Sequence, residues 1–337
     1  MIPLKELRCL LKSAVQAMLL RRNSPFAFRW NITERCLRTC VYCNVDTSKE
    51  TDELDTKQAK ALIDQIASNI IYITISGGEP MLRQDIGEII GYARDRGIRH
   101  IQMVSSGHDI SKRIDELSRV SRLVLSIEGS EAVHDMLRGE GSYSEVIEAA
   151  GAASKHGIKV CLNAVLMKQN LGEIPFLVKL SSRIKAPITF EPIFQATGSK
   201  DMAPFYPSSA EYSKAIEEIT RIKNADGALI SNSEGSLEFI KSWPEYAPMR
   251  CAAGRLFCII RSDGSLQSCD HINYADMASE TQGLNILNAG FDKAVAAIKS
   301  PICKGCGCEG SLQLSRIMNL SPSFLSDTRS ELARLRE

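Results

Sequence analysis

The chain is short of several things that would give it away, and each shortage excludes a class. It has no excess of charge: 41 Lys and Arg stand against 40 Asp and Glu, a formal net charge of +1. A global field of either sign is therefore absent, and nothing in the overall charge calls for nucleic acid or an acidic partner. Only local patches remain open. No apolar run is long enough to span a bilayer. No clean apolar stretch followed by small cleavage-site residues opens the sequence, so no secretory signal is expected and the expected location is cytoplasmic. There is no internal repeat and no low-complexity segment. What is left is an ordinary globular chain of 337 residues, 44% apolar and 24% charged, enough for one large domain and a smaller one.

Cysteine is the exception to this scarcity. Eleven are present, and a disulfide framework competes with metal or redox chemistry as the explanation. The odd count, the length of the chain, the clustering and the missing signal all favour metal or redox chemistry.

The first 25 residues carry Leu4, Leu7, Leu11, Val15 and Met18 at helical spacing, with Lys5, Arg8, Lys12, Arg21 and Arg22 among them. The expectation is an amphipathic helix packed on the rest of the chain; the alternative is a helix lying on a membrane surface. From residue 26 to about 225 the pattern alternates. Strands are expected at 26–33, 70–75, 99–104, 123–127, 158–166 and 187–191. Helices are expected at 56–69, 85–96, 111–120, 142–156, 172–184 and 212–223. Such alternation makes parallel βα units. Six units are too few for a closed eight-stranded barrel, so the expected fold is an α/β partial (βα)6 TIM-like barrel, with a doubly wound sheet as the alternative. After residue 225 the pattern changes: 224–227 and 231–235 look like loops. A hairpin is expected with strands at 257–261 and 265–268 about Ser262-Asp263-Gly264.

Cys36, Cys40 and Cys43 follow the first strand with spacings of three and two residues. Thiolates suit iron–sulfur clusters and zinc. A structural zinc site takes four ligands, whereas this loop offers three and no histidine. Three cysteines can hold a four-iron cube with one iron left open. The second strand ends in Ser76-Gly77-Gly78-Glu79-Pro80, where glycines permit close approach of the backbone and Glu79 can accept from an ammonium group.

Cys-x3-Cys-x2-Cys with an aromatic, Tyr42, before the third cysteine resembles the radical S-adenosylmethionine (SAM) superfamily, and Gly77-Gly78-Glu79-Pro80 is similar to its GGEP motif. The resemblance covers roughly residues 26–320. It implies a [4Fe–4S] cluster on Cys36, Cys40 and Cys43 whose open iron is chelated by the amino and carboxylate groups of SAM. Reductive cleavage then yields a 5′-deoxyadenosyl radical. It further implies that Tyr42, Gly77, Gly78, Glu79 and Ser106 lie at the cofactor, that Ser126 or Glu128 approaches the ribose, and that Arg138 meets the SAM carboxylate. Asn163 is a further cofactor residue by its place on the fifth strand. The bland reading of 134–139 is a solvated helix start with Arg138 in a surface ion pair.

A second group, Cys251, Cys269, Cys303 and Cys306, resembles the Twitch and SPASM extensions of the same superfamily. The chain lacks the further spaced cysteines of a full SPASM domain, so one auxiliary [4Fe–4S] cluster is expected; a zinc site is the alternative. Cys258 and Cys308 are spare ligands, Cys258 being expected in packing, while Cys9 and Cys161 read as small apolar residues. The expected division is a helix at 1–25, the barrel at 26–225, a small cysteine-rich Twitch/SPASM-like extension at 226–320 and a tail helix at 321–337. A flavodoxin or ferredoxin-type donor is implied as partner. Oxidation or rearrangement of a small molecule is the expected reaction. Peptide modification is the alternative, set back because only about 25 residues precede the first strand. A non-catalytic iron–sulfur or zinc sensor is the reading from another class.

Overall fold

Apolar, β-branched segments alternate with amphipathic ones through the first two thirds of the chain, and the folded elements follow that alternation. The computed structural model describes residues 4–20, 22–43, 52–194, 202–226, 229–269, 282–299 and 307–319. In chain order its elements are α1 (Leu4–Met18), β1 (Ala27–Thr33), α2 (Thr56–Ile66), β2 (Tyr72–Gly77), α3 (Ile86–Asp95), β3 (His100–Ser105), β4 (Arg122–Ser126), α4 (Glu131–Arg138), α5 (Ser142–Lys155), β5 (Lys159–Leu166), α6 (Ile174–Ile184) and β6 (Ile188–Pro192). Then come α7 (Ser209–Asp226), α8 (Glu234–Ile240), β7 (Phe257–Ile260), β8 (Ser265–Gln267), β9 (Gln282–Asn285), α9 (Ile286–Ala289), α10 (Phe291–Ala297) and α11 (Glu309–Met318). The tail expected at 321–337 lies outside the described residues.

β1 to β6 are parallel and pair in the unbroken order β6-β5-β4-β3-β2-β1. A doubly wound sheet reverses its order at a switch point. This one never does, so the six units wind in one direction as a partial barrel. Phe28, Trp30, Ile73, Ile75, Met103, Leu125, Leu162 and Phe190 are buried in one continuous core, as near-continuous apolar strands require when helices cover them. Local signals set the helix starts. Asp55 accepts from the Gln58 N–H while the Gln58 side chain accepts from the Asp55 N–H, a reciprocal cap on α2.

Beyond β6 the chain returns to the other edge. β7 pairs parallel with β1, from Ala27–Phe257 to Trp30–Ile260, and β8 and β9 continue antiparallel. The expected turn is in place, with Gly264 at φ 83°. β1 is therefore an interior strand.

Two expectations needed correction. The helix expected at 111–120 is a short 3-10 turn, Ile114–Leu117. Asp109 turns through φ 52°, and Arg113 donates to the carbonyls of Met81 at 2.6 Å and Arg83 at 3.1 Å, which holds the segment as one tight turn against the exit of β2. Conversely, α8 begins within the stretch 231–235 read as a loop and continues to Ile240. Ser233 there is a helix cap, its hydroxyl accepting from the Ser236 N–H at 3.1 Å.

α1 packs below the strands. Ala17 joins Phe26, Ile71, Leu256 and Leu314 in a second small core. Of the apolar stripe read in the sequence, Val15 is the described side chain, and it is 47% exposed. The buried positions are Ser13 and Ala17, whose small side chains let the helix lie close. No helix among the described residues is long and apolar enough to cross a membrane.

Candidate functional site

The cysteine loop leaves the carboxyl end of β1 and is clamped first by the exit of β2. Gly78 N–H donates to Thr33 O at 2.9 Å and Glu79 N–H to Arg35 O at 2.8 Å. A Cβ on Gly77 would stand 2.1 Å from Thr33 O, and one on Gly78 2.1 Å from Arg35 O. Gly77 also sits at φ 128°. The close approach these glycines permit includes one to the chain's own backbone at the root of the cysteine loop. Arg35 and Glu53 pair beside this root at 3.1 Å.

The far side of the loop is fastened by a buried ion pair that the sequence did not announce. Glu128, just past β4, is fully buried. One of its oxygens accepts from the Tyr42 hydroxyl and from Arg138 Nε at 2.9 Å. The other accepts from the Val165 N–H at 2.9 Å. Arg138 also donates to the Tyr42 hydroxyl and lies over the Tyr42 ring, 5.5 Å from its centre. The Val41 N–H donates to Leu137 O at 3.0 Å. Residues 41 and 42 are so bound to α4, β4 and β5 at once. The solvated ion pair considered for Arg138 is replaced by a pair whose side chains are 11% and 0% exposed. Burial alone would discourage the guanidinium's charge, but Tyr42 and Glu128 hold it ionised and its pKa is raised. Burial drives the Tyr42 hydroxyl well above its ordinary range. His134, also fully buried, accepts from the Glu128 N–H at 3.0 Å. Burial pulls its pKa down to about 3, so the ring is neutral.

Glu79 is 1% exposed and is held by the end of β3. It accepts from Ser105 Oγ at 2.9 Å, Ser106 N–H at 2.8 Å and Ser106 Oγ at 2.7 Å. Ser126 closes β4 opposite Asn163 in the register. Asn163 Nδ2 donates to Glu191 at 3.3 Å, and Glu191 in turn accepts from the Glu309 N–H at 2.9 Å. Asn163 thereby connects β5 to the start of α11. Gly77, Gly78, Glu79, Ser106, Ser126 and Glu128 all lie at or just beyond the carboxyl ends of their strands, the edge where parallel sheets gather ligands.

Cys36, Cys40 and Cys43 lie within electrostatic reach of one another. Burial raises the pKa of Cys36 and of Cys40, so a metal must displace protons to bind there. Cys36 Sγ accepts from the Arg38 N–H at 3.4 Å. Among the described residues no trio of His, Cys, Asp or Glu stands at single-ion spacing. A four-iron cube takes each thiolate on a different iron and so asks for wider spacing. Three thiols, an amide aimed at a sulfur and no histidine in the loop fit such a cube.

At the second group, Cys251 Sγ accepts from the Ala253 N–H at 3.4 Å, the same two-residue contact that Cys36 makes. Ser315 of α11 accepts from the Ala252 N–H at 2.8 Å and lies 4.0 Å from the Cys251 sulfur. Cys269 is half-buried. Cys303 and Cys306 lie outside the described residues. Cys258 is in the core of β7, its thiol pKa pushed far up by burial. Cys308 is buried next to the start of α11.

Sequence reasoning named Tyr42, Glu128 and Arg138 separately but missed that they form one cluster; it placed a helix start at 134–139 without seeing that α4 begins at Glu131 or that His134 is buried against Glu128. A signal was there: Gly129-Ser130 before, and Gly139 after, a run with His134 and Arg138 four residues apart.

Comparison with known proteins agrees with this geometry. Residues 30–180 match the family model for the radical SAM superfamily. Fe-coproporphyrin III synthase of Methanosarcina barkeri is 32% identical over 180 residues, 51% of this chain but 45% of that protein. The mycofactocin maturase MftC of Mycobacterium tuberculosis is 24% identical over 322 residues, covering 89% of this chain and 81% of the relative. Among solved structures, Streptococcus suis SuiB bound to S-adenosylmethionine superimposes with a TM-score of 0.69 at 19% identity, over 94% of this chain and 80% of that one. At that identity the likeness is one of fold.

Proposed function

Since the chain belongs to the radical SAM superfamily, we propose that it catalyses hydrogen abstraction from an organic substrate, with net oxidation or rearrangement of a small molecule as the outcome. The observation that carries this reading is the fastening of one three-cysteine loop from both sides, by the glycine exit of β2 and by the Glu128–Arg138–Tyr42 cluster. Cys36, Cys40 and Cys43 would hold the [4Fe–4S] cluster. Glu79 would accept from the amino group of SAM. Arg138 carries the positive charge for a carboxylate, and its fork suits one. When bound, the cluster and SAM supply a 5′-deoxyadenosyl radical. The chain's part is to fix the loop, orient SAM and keep the strand ends buried.

We read residues 226–320 as the extension that holds a second cluster, on Cys251, Cys269, Cys303 and Cys306, and a flavodoxin or ferredoxin-type protein as the electron donor. Peptide modification is the second reading. It is favoured by the 89% coverage of this chain in the alignment with a maturase and by a 31% identical stretch shared with the PqqA peptide cyclase of Rhizobium meliloti. The test combines iron analysis with product analysis of the anaerobically reconstituted chain. About eight irons per chain are expected, falling to about four in both Cys40→Ala and Cys251→Ala, with 5′-deoxyadenosine formation lost in Cys40→Ala alone. Transfer of deuterium from a labelled small molecule or peptide into 5′-deoxyadenosine selects between the two substrate classes. No SAM cleavage by the reduced, iron-loaded chain would refute the enzymatic reading in favour of a sensor.

A further inference from the structure

A basic concavity lies at the opposite end of the sheet from the cysteine loop. A cavity of about 1160 Å3 opens between α1, the segment leading into β1, the segment leading into β2, and α10 with the residues just after it. Among the described residues its walls carry Arg8, Lys12, Arg22, Arg255 and Lys299 against a single acid, Asp292. In a chain whose net charge is +1, that is a local concentration and not a reflection of composition. Among the described residues, Arg8, Lys12, Arg22 and Lys299 enter no ion pair. Cations gathered around a concave wall add their fields and raise the local concentration of anions.

The floor adds neutral polar groups. The hydroxyls of Ser13 and Ser24 stand 3.2 Å apart. Asn23 is held in place by donating to Val295 O at 3.1 Å and Ile298 O at 2.8 Å, which ties the β1 lead-in to α10. Arginine forks and lysine ammonium groups suit phosphate oxygens, and the volume is ample for more than one phosphate. Ser24 and Pro25 precede β1, Ser68 and Asn69 precede β2, and Arg255 precedes β7. The six residues of β2 therefore separate the cavity from Glu79 by about 20 Å, so the occupant is not the substrate of the radical site.

We propose that this cavity binds a phosphate-bearing polyanion. Two sources share that chemistry, a soluble phosphate compound and the headgroup of an anionic lipid. The rim bears on the second: Arg8, Lys12 and Val15 follow one another at helical spacing on the exposed face of α1, with Leu19 one residue past its end, and Val15 and Leu19 are 47% and 75% exposed. A helix with cations beside exposed apolar side chains suits a membrane interface.

Full-length, cluster-loaded protein is titrated with inorganic tripolyphosphate by calorimetry and, separately, sedimented with phosphatidylcholine vesicles with or without phosphatidic acid. Binding is expected in at least one arm. Lys12→Glu combined with Lys299→Glu is expected to weaken it by roughly tenfold or more, whereas Lys179→Glu, on the exposed face of α6, leaves it unchanged. SAM cleavage is expected to be the same in all three proteins. Should the reversed pair disturb folding by circular dichroism, Lys12→Gln with Lys299→Gln serves in its place. Sedimentation that needs phosphatidic acid assigns the site to a lipid headgroup. Tripolyphosphate binding without sedimentation assigns it to a soluble phosphate. Failure in both arms, or equal binding by the altered pair, overturns the proposal.

Discussion

The two cysteine regions use the same local device and different support. In each, a sulfur accepts a backbone N–H two residues on, Cys36 from Arg38 and Cys251 from Ala253, both at 3.4 Å. Around the first, the support is charged and buried and comes from β4, α4 and β5 through Glu128, Arg138 and Val165. Around the second, the support among the described residues is neutral and comes from α11 and its C-cap, through Ser315 on the Ala252 N–H and Asn319 on the Arg250 carbonyl at 2.7 Å. The difference teaches where rigidity is concentrated. A buried ion pair costs much when it is broken by removing one partner, because the other charge is left unpaired. A single neutral hydrogen bond costs far less.

The strongest way to break the contrast is Glu128→Gln. It leaves the Arg138 charge buried without its carboxylate, and a loss of about 3–5 kcal/mol is expected, read as a lowered unfolding midpoint of the full chain under anaerobic conditions. Weaker SAM binding should accompany it, since Tyr42 is released. An unchanged midpoint would mean that Tyr42 and Val165 alone hold the loop.

A smaller, pH-dependent effect sharpens the comparison. His134 ordinarily titrates near 6.5 but is held to about 3 in the fold by burial. Below pH 6.5 the unfolded chain takes up a proton that the folded chain refuses. The stability due to this residue is therefore complete above about pH 6.5 and is lost progressively as the pH falls toward 3. At about pH 4.5 the loss is of order 2–3 kcal/mol. His134→Asn, which keeps an acceptor for the Glu128 N–H, should flatten the fall in unfolding midpoint between pH 7 and 4.5. An equally steep fall in that variant would place the acid sensitivity elsewhere.

The smallest change is expected from Ser315→Ala. Loss of the acceptor for the Ala252 N–H should cost about 1 kcal/mol. The low-temperature spectrum of the second cluster should shift while that of the SAM-binding cluster stays fixed. Shifts in both spectra would show the two regions to be coupled.

The parallel units were legible because their signals are local. Strand and helix periods, the Asp55–Gln58 cap and the Ser262-Asp263-Gly264 turn each act within a few residues. The turn at 114–117 was misread because a tertiary contact of Arg113 outweighed the local pattern, whereas the start of α8 was a local serine cap that the loop-like composition hid. The parallel pairing of β7 with β1 joins segments more than two hundred residues apart, and no periodicity reports such a partner.

By itself the sequence determined the three-cysteine loop, the glycine exit of β2 and the alternation of six βα units, because each depends on neighbours in the chain. Tertiary structure alone decided that Gly77 and Gly78 close against Thr33 and Arg35, that Tyr42, Glu128 and Arg138 share one buried charge cluster, and that five cations meet below the sheet. Those arrangements rest on burial and on charges from distant segments, and both come into being only when the strands lie side by side.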